Sequence, residues 1–459
     1  MAPLLRIRRL DLHERPVPFA RPFRFGVVSV DQASLAMVRV EIELADGHRA
    51  HGGGAELMAP KWFNKDPALS SAATVDQLRA ALHAARNLYL DGGSDTAFGL
   101  HAERLAAVTA ACASLPALAA AFGPALIDKA VVDALARALG ISVFALLREN
   151  AIGLDARLTP DIAAPAITRF LESRQPSMQV AVRHTVGLLD DPASLAGELG
   201  ATGCRYLKLK LCGEPQADRL RLGALAQALQ STMPISGITL DANEQYPDAM
   251  ALQALVTAVG ADPALRFIAD RLLYIEQPLP REITRSQPLG ALGRHVPVVI
   301  DEADDCYGAF PAALAQGYRG CSSKSCKGIY KSLLNGARCA ALSALGTACM
   351  MTAEDLTCIA GLPVQQDTAL VAFHGIAHAE RNGHHYAPGF PGAPAAEAAR
   401  FLAAHPDLYM PGADGPVLRI ADGMLATGSL HVPGFASGAM PDWRTLAPLA
   451  TPQPPESRL

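Results

Sequence analysis

The chain is short of charge, of aromatic residues and of long hydrophobic runs, and each shortage removes a class of protein. Charged residues make up 18% of the 459, the formal net charge is −4, and no long basic stretch occurs. A nucleic-acid partner is therefore not expected. No uninterrupted apolar run reaches the ~18 residues that a membrane span requires. The alanine-rich pieces around 101–123 and 339–350 read instead as helix-forming core. The nine cysteines (112, 204, 212, 306, 321, 326, 339, 349 and 358) are odd in number and contain no C-x-x-C pair. They read as reduced thiols of a cytosolic protein, mostly buried as small apolar groups. Met1 to Pro16 is studded with arginine and has no apolar core, so no secretory signal is expected and the localisation read from the sequence is cytoplasmic.

What is present is apolar mass. Half of the residues are hydrophobic, which excludes disorder over most of the length, and 459 residues suit two domains. The first 50 residues are β-rich: LLRIRRLDLHE is followed by ASLAMVRVEIELADG, which alternates and ends in a turn-forming Asp-Gly. Between them RPVPFARPFRFGVVSV carries too many prolines for a central strand and reads as a loop or an edge. His51 to Pro67, with three consecutive glycines, reads as a flexible connection. From about 75 to 150 the pattern is helical, so residues 1–150 form an α+β unit.

From about 178 strands and helices alternate. Strands are predicted at 178–187, 205–211, 237–241, 271–276, 297–301, 320–325, 347–352 and 375–381. Eight β/α repeats over 151–400 give an α/β fold of the (β/α)8 TIM-barrel type, with its site at the C-terminal strand ends. A doubly wound sheet would carry a Gly-rich phosphate loop after its first strand, and none is present. Residues 401–459 contain proline-rich turns, a predicted hairpin in VLRIADGMLATGSL and an expected disordered tail, PQPPESRL.

Charged residues end the apolar runs. RYLKLKL carries Lys208 and Lys210, GITLDAN ends its strand at Asp241, LLYIEQP at Glu276 and PVVIDEA at Asp301, and CSSKSCKG carries Lys324. The acids are 35 and 25 residues apart, each interval room for one helix and two loops. Strand alternation sends Lys208 and Lys210 to one face and Leu207, Leu209 and Leu211 to the other. Three carboxylates at successive strand ends offer oxygen ligands to Mg²⁺. Taken singly, each acid reads equally well as a helix cap. Two neighbouring ammonium groups and a dication would lower a lysine pKa toward that of a working base. Lys324 stands opposite the Lys208–Lys210 strand, so that a planar intermediate would meet a base on each face; a salt bridge to one of the acids is its other reading. Lys327 and Lys331 are expected to face the following helix or solvent. Asn243 and Gln277 follow two of the acids and are expected to orient them, and Glu302 competes with Asp301 as the third ligand.

Lys208-x-Lys210, Asp241-Ala-Asn243, Ile275-Glu276-Gln277-Pro278, Asp301-Glu302 and Lys324-x-x-Lys327-Gly328 together resemble the enolase superfamily. They are most similar to its muconate-lactonizing-enzyme branch, with its dipeptide epimerases and o-succinylbenzoate synthases. IDKAVVDALARALGISVFALLREN resembles that family's helix before the barrel, and ADGMLATGSLHVPGF its return to the capping domain. The resemblance implies an N-terminal capping domain completed by the C-terminal segment. It also implies Mg²⁺ on Asp241, Glu276 and Asp301, with Lys210 and Lys324 as the acid/base pair. Lys208 would tune Lys210 or touch the substrate carboxylate. The implied partner is a small carboxylate, with no nucleic acid or membrane, and a homo-oligomer is compatible with it.

The chemistry that follows is removal of a proton α to a carboxylate, leading to racemisation or epimerisation. Dehydration of an acid sugar or hydroxy acid and cycloisomerisation are the alternatives, and a catalytically inert metal-binding barrel is the reading from a second class. The histidine that the mandelate-racemase branch carries after the seventh strand is missing from ACMMTAEDLT, where Glu354 and Asp355 stand, as substrate contacts or as helix caps. The Asp-x-Asp of dipeptide epimerases is replaced by IAHAERN, from which His378, Glu380 and Asn382 are candidates for the mouth. His374 and His378 lack the glutamate of H-E-x-x-H, so a zinc reading there is rejected. Arg24 falls where the family's capping loop closes over substrate, but it is read first as a surface arginine.

Overall fold

The computed structural model describes residues 2–25, 28–230 and 234–452. The chain opens with three antiparallel strands, β1 (Leu5–Phe25), β2 (Val28–Leu44) and β3 (Arg49–Met58), in the order β1-β2-β3. Along β2, Val38, Val40 and Ile42 are fully buried and alternate with Arg39, Glu41 and Glu43, so one face meets a core. Helix α1 (Ser71–Leu90) packs on the sheet, α2 (Ala97–Ala111) packs behind it, and α3 (Ala117–Leu139) lies along β2 and β3. Ser70 and Thr96 cap the first two through their hydroxyl oxygens, and Gly140, at φ +66°, ends the third.

Two expectations for this region need correction. The proline-rich stretch is strand, with Pro16 opposite Ser34 and Pro18 opposite Gln32. Its second neighbour, Ala447–Pro448, reaches only His13 and Glu14, so the prolines sit on an edge where a missing N–H leaves no ladder incomplete. The triple glycine is no flexible connection but the middle of β3. A Cβ on Gly52 would lie 2.2 Å from the Ala130 carbonyl oxygen, and one on Gly54 2.8 Å from that of Leu126. Glycine is what lets α3 lie directly on the strand.

The second unit is a ring of parallel strands: β4 (Gln179–Val186), β5 (Tyr206–Lys210), β6 (Gly237–Asp241), β7 (Leu272–Glu276), β8 (Val298–Ile300), β9 (Gly320–Ser323), β10 (Met350–Ala353) and β11 (His378–Glu380). All eight predicted strands are present. The hydrogen-bonded order β10-β9-β8-β7-β6-β5-β4-β11 is a barrel path, without the order reversal of a doubly wound sheet. Among the described residues β10 and β11 share no ladder, so the ring has one unzipped seam. Leu207, Leu209 and Ile275 are fully buried against the outer helices, while Lys208, Asp241 and Glu276 point inward.

The C-terminal segment serves both units. Met424–Ala426 pairs antiparallel with the first half of β4, and Phe435 N–H donates to Asp133 of α3 at 2.7 Å. The predicted hairpin at 417–430 lies earlier, as Tyr409–Gly412 against Gly415–Leu418, because Met424–Ala426 finds its partner in β4. Residues 453–459, most of the expected tail, lie outside the described residues. No disulfide joins the nine cysteines, six of which are buried. No single helix among the described residues is long and apolar enough to cross a membrane.

A buried ion pair pins the capping sheet to the barrel. Lys129 Nζ of α3 donates to Glu56 Oε2 at 2.7 Å and to the Ala55 carbonyl at 2.6 Å, and the Ser325 hydroxyl donates to the same Glu56 oxygen at 3.0 Å. Both charged side chains are at most 2% exposed. Lys129→Ala strands the Glu56 carboxylate, and the expected loss of unfolding free energy in urea is about 3–5 kcal/mol. Lys129→Ala with Glu56→Leu together are expected to cost less than Lys129→Ala alone.

Histidine burial sets an acid limit on the fold. His374 is pushed down to about 3 by burial, with Arg174 adding to the shift. A base depressed in the fold binds its proton preferentially in the unfolded chain. Its contribution is therefore complete above pH ~6.5 and is lost as pH falls from there toward the folded value. Urea midpoints are expected to drop by the equivalent of about 2 kcal/mol between pH 7.5 and 5 from this one group, and His374→Gln is expected to flatten that slope.

Candidate active site

The sequence-predicted residues converge at the C-terminal mouth of the barrel. Lys208, 1% exposed, is collared by four carboxylates. Its Nζ lies 2.9 Å from Asp241 Oδ2, 2.8 Å from Glu276 Oε2, 2.9 Å from Glu354 Oε2 and 2.8 Å from Glu380 Oε2. Lys210 Nζ stands 2.5 Å from Asp241 Oδ2 and donates to Asn243 Oδ1 at 2.8 Å. Lys324 Nζ is 2.7 Å from Asp301 Oδ2 and 4.4 Å from the centre of the Trp62 ring, which reaches over from the capping unit. Lys210 and Lys324 thus take hold of different acids, and both line one narrow cavity. Its lid is Phe19, Phe23, Val30, Leu57 and Trp62, and its floor includes Asn243, Asp355, Glu380 and Asn382.

Asn243 bonds the acid it follows, whereas Gln277 holds the backbone at the next strand end rather than Glu276. Asn243, in a left-handed conformation at φ +45°, donates its backbone N–H to Asp241 Oδ1 at 2.9 Å. Gln277 Oε1 accepts the backbone N–H groups of Asp301 and Ala303 at 2.8 and 3.0 Å. Glu302 turns away from the lysine ring to Lys65 at 2.9 Å and Asn243 at 3.1 Å. Asp355 accepts the N–H groups of Cys358 at 2.9 Å and Asn382 at 2.8 Å, which shapes the loops below the cavity.

Three placements differ from expectation. Lys327 and Lys331 are buried, with Lys327 Nζ donating to Asp301 Oδ1 at 3.2 Å and Lys331 bonded to the Asp304 carbonyl. Inward-facing Asp301 and Asp304 supply the compensation that solvent would otherwise give. His378 does not reach the mouth; it stacks on Tyr206 at a centroid distance of 4.4 Å, near the start of its strand. Lys208 and Lys324 are not lowered toward neutrality. Burial opposes the charge on Lys208, but Asp241, Glu276, Glu354 and Glu380 together push it well above its ordinary value; Asp301 does the same for Lys324. The Arg24 side chain lies outside the described residues.

Residues not singled out from the sequence complete the ring. Arg183, fully buried on β4, donates to Glu354 Oε2 at 2.6 Å and is bonded to the Tyr274 hydroxyl, which donates to Glu354 Oε1 at 2.8 Å. Thr185, two residues along β4, donates to Glu380 Oε1 at 2.7 Å. The signal was available: Arg183 and Thr185 share a strand face exactly as Lys208 and Lys210 do on β5.

The acids differ in electrical state. Asp301 is drawn well below the carboxylate range; burial opposes this, but Lys324, Lys327 and Lys208 override it. Glu276 moves the other way, well above its ordinary value, through burial and the neighbouring Asp241 and Glu354 charges. Its Oε2, although 2.8 Å from Lys208 Nζ, has no hydrogen-bond partner. Asp241 and Glu276 converge on Lys208, while Asp301 is held by Lys324 and Lys327. Among the described residues, the three ligand atoms that lie within 4.8 Å of one another belong to His184, Glu198 and His385, outside this ring.

The eight-stranded parallel ring thus carries acids at the ends of three successive strands and lysines on the strands either side. No family model matches the chain, and no curated protein matches it. Solved structures do. The dipeptide epimerase of Enterococcus faecalis V583, complexed with Mg and the dipeptide L-Leu-L-Tyr, superposes with a TM-score of 0.60 at 16% identity, covering 94% of this chain and 99% of that one. The L-Ala-D/L-Glu epimerase of Bacillus subtilis gives 0.60 at 15% identity over 94% and 98% of the two chains. The muconate lactonizing enzyme of Pseudomonas fluorescens, complexed with muconolactone, gives 0.59 at 17% identity over 96% and 98%. The chain shares the fold of these proteins across nearly its whole length.

Proposed function

We propose that the chain is a Mg²⁺-dependent enzyme that removes the proton α to a carboxylate, forms an enolate and returns the proton, with inversion, to the opposite face. The observation that carries this reading is the placement of Lys210 and Lys324. They line one cavity yet are held by different acids, Asp241 and Asp301. Two amines approaching one carbon from opposite sides are what inversion requires.

The donor set suits a hard dication. Asp241, Glu276 and Asp301 supply only carboxylate oxygens, and the raised Glu276, pushed up by burial and by the Asp241 and Glu354 charges, marks negative charge that Lys208 alone does not balance. When bound by these three acids, Mg²⁺ would stabilise the charge that develops on the substrate carboxylate as the α-proton leaves. The remaining work belongs to the chain. Lys210 and Lys324 take and give the proton at Nζ, Lys208 holds the carboxylates in register, and the lid of Phe19, Phe23, Leu57 and Trp62 keeps water from the enolate.

That lid favours a substrate with an apolar substituent beside its carboxylate. On β11 only Glu380 is acidic, and it is already engaged by Lys208 and Thr185, so a free ammonium group on the substrate would find little compensation.

A panel of carboxylates (N-acyl amino acids, dipeptides, hydroxyprolines and acid sugars) incubated in deuterated water with Mg²⁺ separates the outcomes. Deuterium at the α-carbon of recovered substrate, together with its stereoisomer, supports the isomerase. Loss of water to a keto acid supports the dehydratase. Mg²⁺ binding without exchange on any member leaves a metal-binding barrel without catalysis.

A further inference from the structure

Outside the mouth, on the other side of the barrel wall, three metal-binding groups gather that the chemistry above does not use. His184 lies on β4 between Arg183 and Thr185 and points the opposite way from both, away from the lysines. Glu198 comes from the helix Leu195–Thr202, and His385 from the turn of helix Gly383–Tyr386 that follows Glu380. One ligand atom from each lies within 4.8 Å of the other two. His184 Nε2 stands 3.5 Å from Glu198 Oε2.

These groups have not satisfied one another. His184 is 1% exposed, yet neither of its ring nitrogens has a hydrogen-bond partner, and His385 Nε2 has none either. Buried imidazole nitrogens without partners are costly, and both nitrogens of His184 and of the neighbouring His384, with Nε2 of His385, are left in that state within one cluster. The rings are also brought close: His184 and His385 meet edge to face at 4.6 Å between centroids, and His384 lies 3.9 Å from His385. A cleft of about 350 Å³ lined by Arg21, Glu198, Thr202, His384 and His385 leads to the cluster from solvent.

We propose that His184, Glu198 and His385 form a second cation site, separate from the barrel acids, for a divalent transition ion of the zinc class. Two imidazoles and one carboxylate suit that class, while Mg²⁺ prefers a full set of oxygens. The charge on Arg21 opposes any cation there, and Glu198 and Asp190 offset it. A fourth ligand would enter from the cleft, where Arg21 favours an anionic one. The ion would tie β4 to the segment after β11 and to the helix Leu195–Thr202. Arg183, Thr185 and Glu380 sit on the far side of the same wall, so its role is to position them.

The test uses the full chain, stripped with chelator and titrated with Co²⁺ under excess Mg²⁺, with the visible d–d absorption as readout. The expected result is one tightly bound equivalent of Co²⁺ with an intense band. Asp241→Asn keeps it; His385→Gln and Glu198→Gln each weaken binding by an order of magnitude or more. Glu198 is 32% exposed, so its variant removes a ligand without disturbing the core. A folded wild-type chain that takes up no Co²⁺ under these conditions overturns the proposal. So does an unchanged band in both ligand variants, or a band lost only in Asp241→Asn.

Discussion

Lys324→Ala is expected to fold normally and to lose inversion by about a thousandfold or more, the scale of a missing acid/base group. Folding survives because Asp301 keeps Lys327 at 3.2 Å and the Ser322 hydroxyl after Lys324 is gone. Lys210→Ala is protected in the same way, since Asp241 retains Lys208 at 2.9 Å and the Asn243 N–H. The two variants should differ in stereochemistry. Each leaves one amine, so each should exchange the α-proton of one substrate enantiomer with solvent and leave the other untouched. Nuclear magnetic resonance of the two separate enantiomers in deuterated water reads this directly. Full racemisation by both variants would remove the two-amine mechanism.

Lys208→Ala is expected to cost the most stability of any single change in the mouth, about 3–5 kcal/mol by urea unfolding, because it uncovers buried charge. Asp241, Glu276, Glu354 and Glu380 would then face one another around the space their common ammonium filled. Asp241 keeps Lys210, Glu354 keeps Arg183 and Glu380 keeps Thr185, so Glu276 bears most of the loss. Mg²⁺ supplies positive charge to the same acids, and adding it should recover part of the lost midpoint. Lys208→Met, similar in bulk but uncharged, should fall as far as the alanine variant. A methionine variant as stable as wild type would show that the four acids do not depend on this ammonium.

The barrel was legible because several of its strands, among them β5, β6, β7 and β8, are short apolar runs that carry a charge at or just beyond their ends, a pattern that survives without partners in view. The same rule found Lys208, Lys210, Asp241, Glu276, Asp301 and Lys324, which the fold brings to one mouth. It failed where a residue's reason lies in something distant along the chain. Gly52–Gly54 looks like a hinge until α3 is seen on top of it, some eighty residues later. Lys327 and Lys331 look solvated until Asp301 and Asp304 are found facing them. The Glu56–Lys129 tie and the His184–Glu198–His385 cluster join residues with no common motif or spacing. The raised Lys208 is hidden for a related reason: spacing reveals two ammonium groups side by side, while Glu354 and Glu380, which outweigh that repulsion, arrive from the ends of β10 and β11, beyond β4.

The most direct test of the account is a crystal structure of the full chain grown with Mn²⁺ in place of Mg²⁺, read by its anomalous signal. The account predicts a peak in the mouth, bound in common by Asp241, Glu276 and Asp301, with the amines of Lys210 and Lys324 on opposite sides of the substrate positions beside it, whether or not a second peak marks His184, Glu198 and His385. A mouth without a peak, or both amines on the same side, would contradict it.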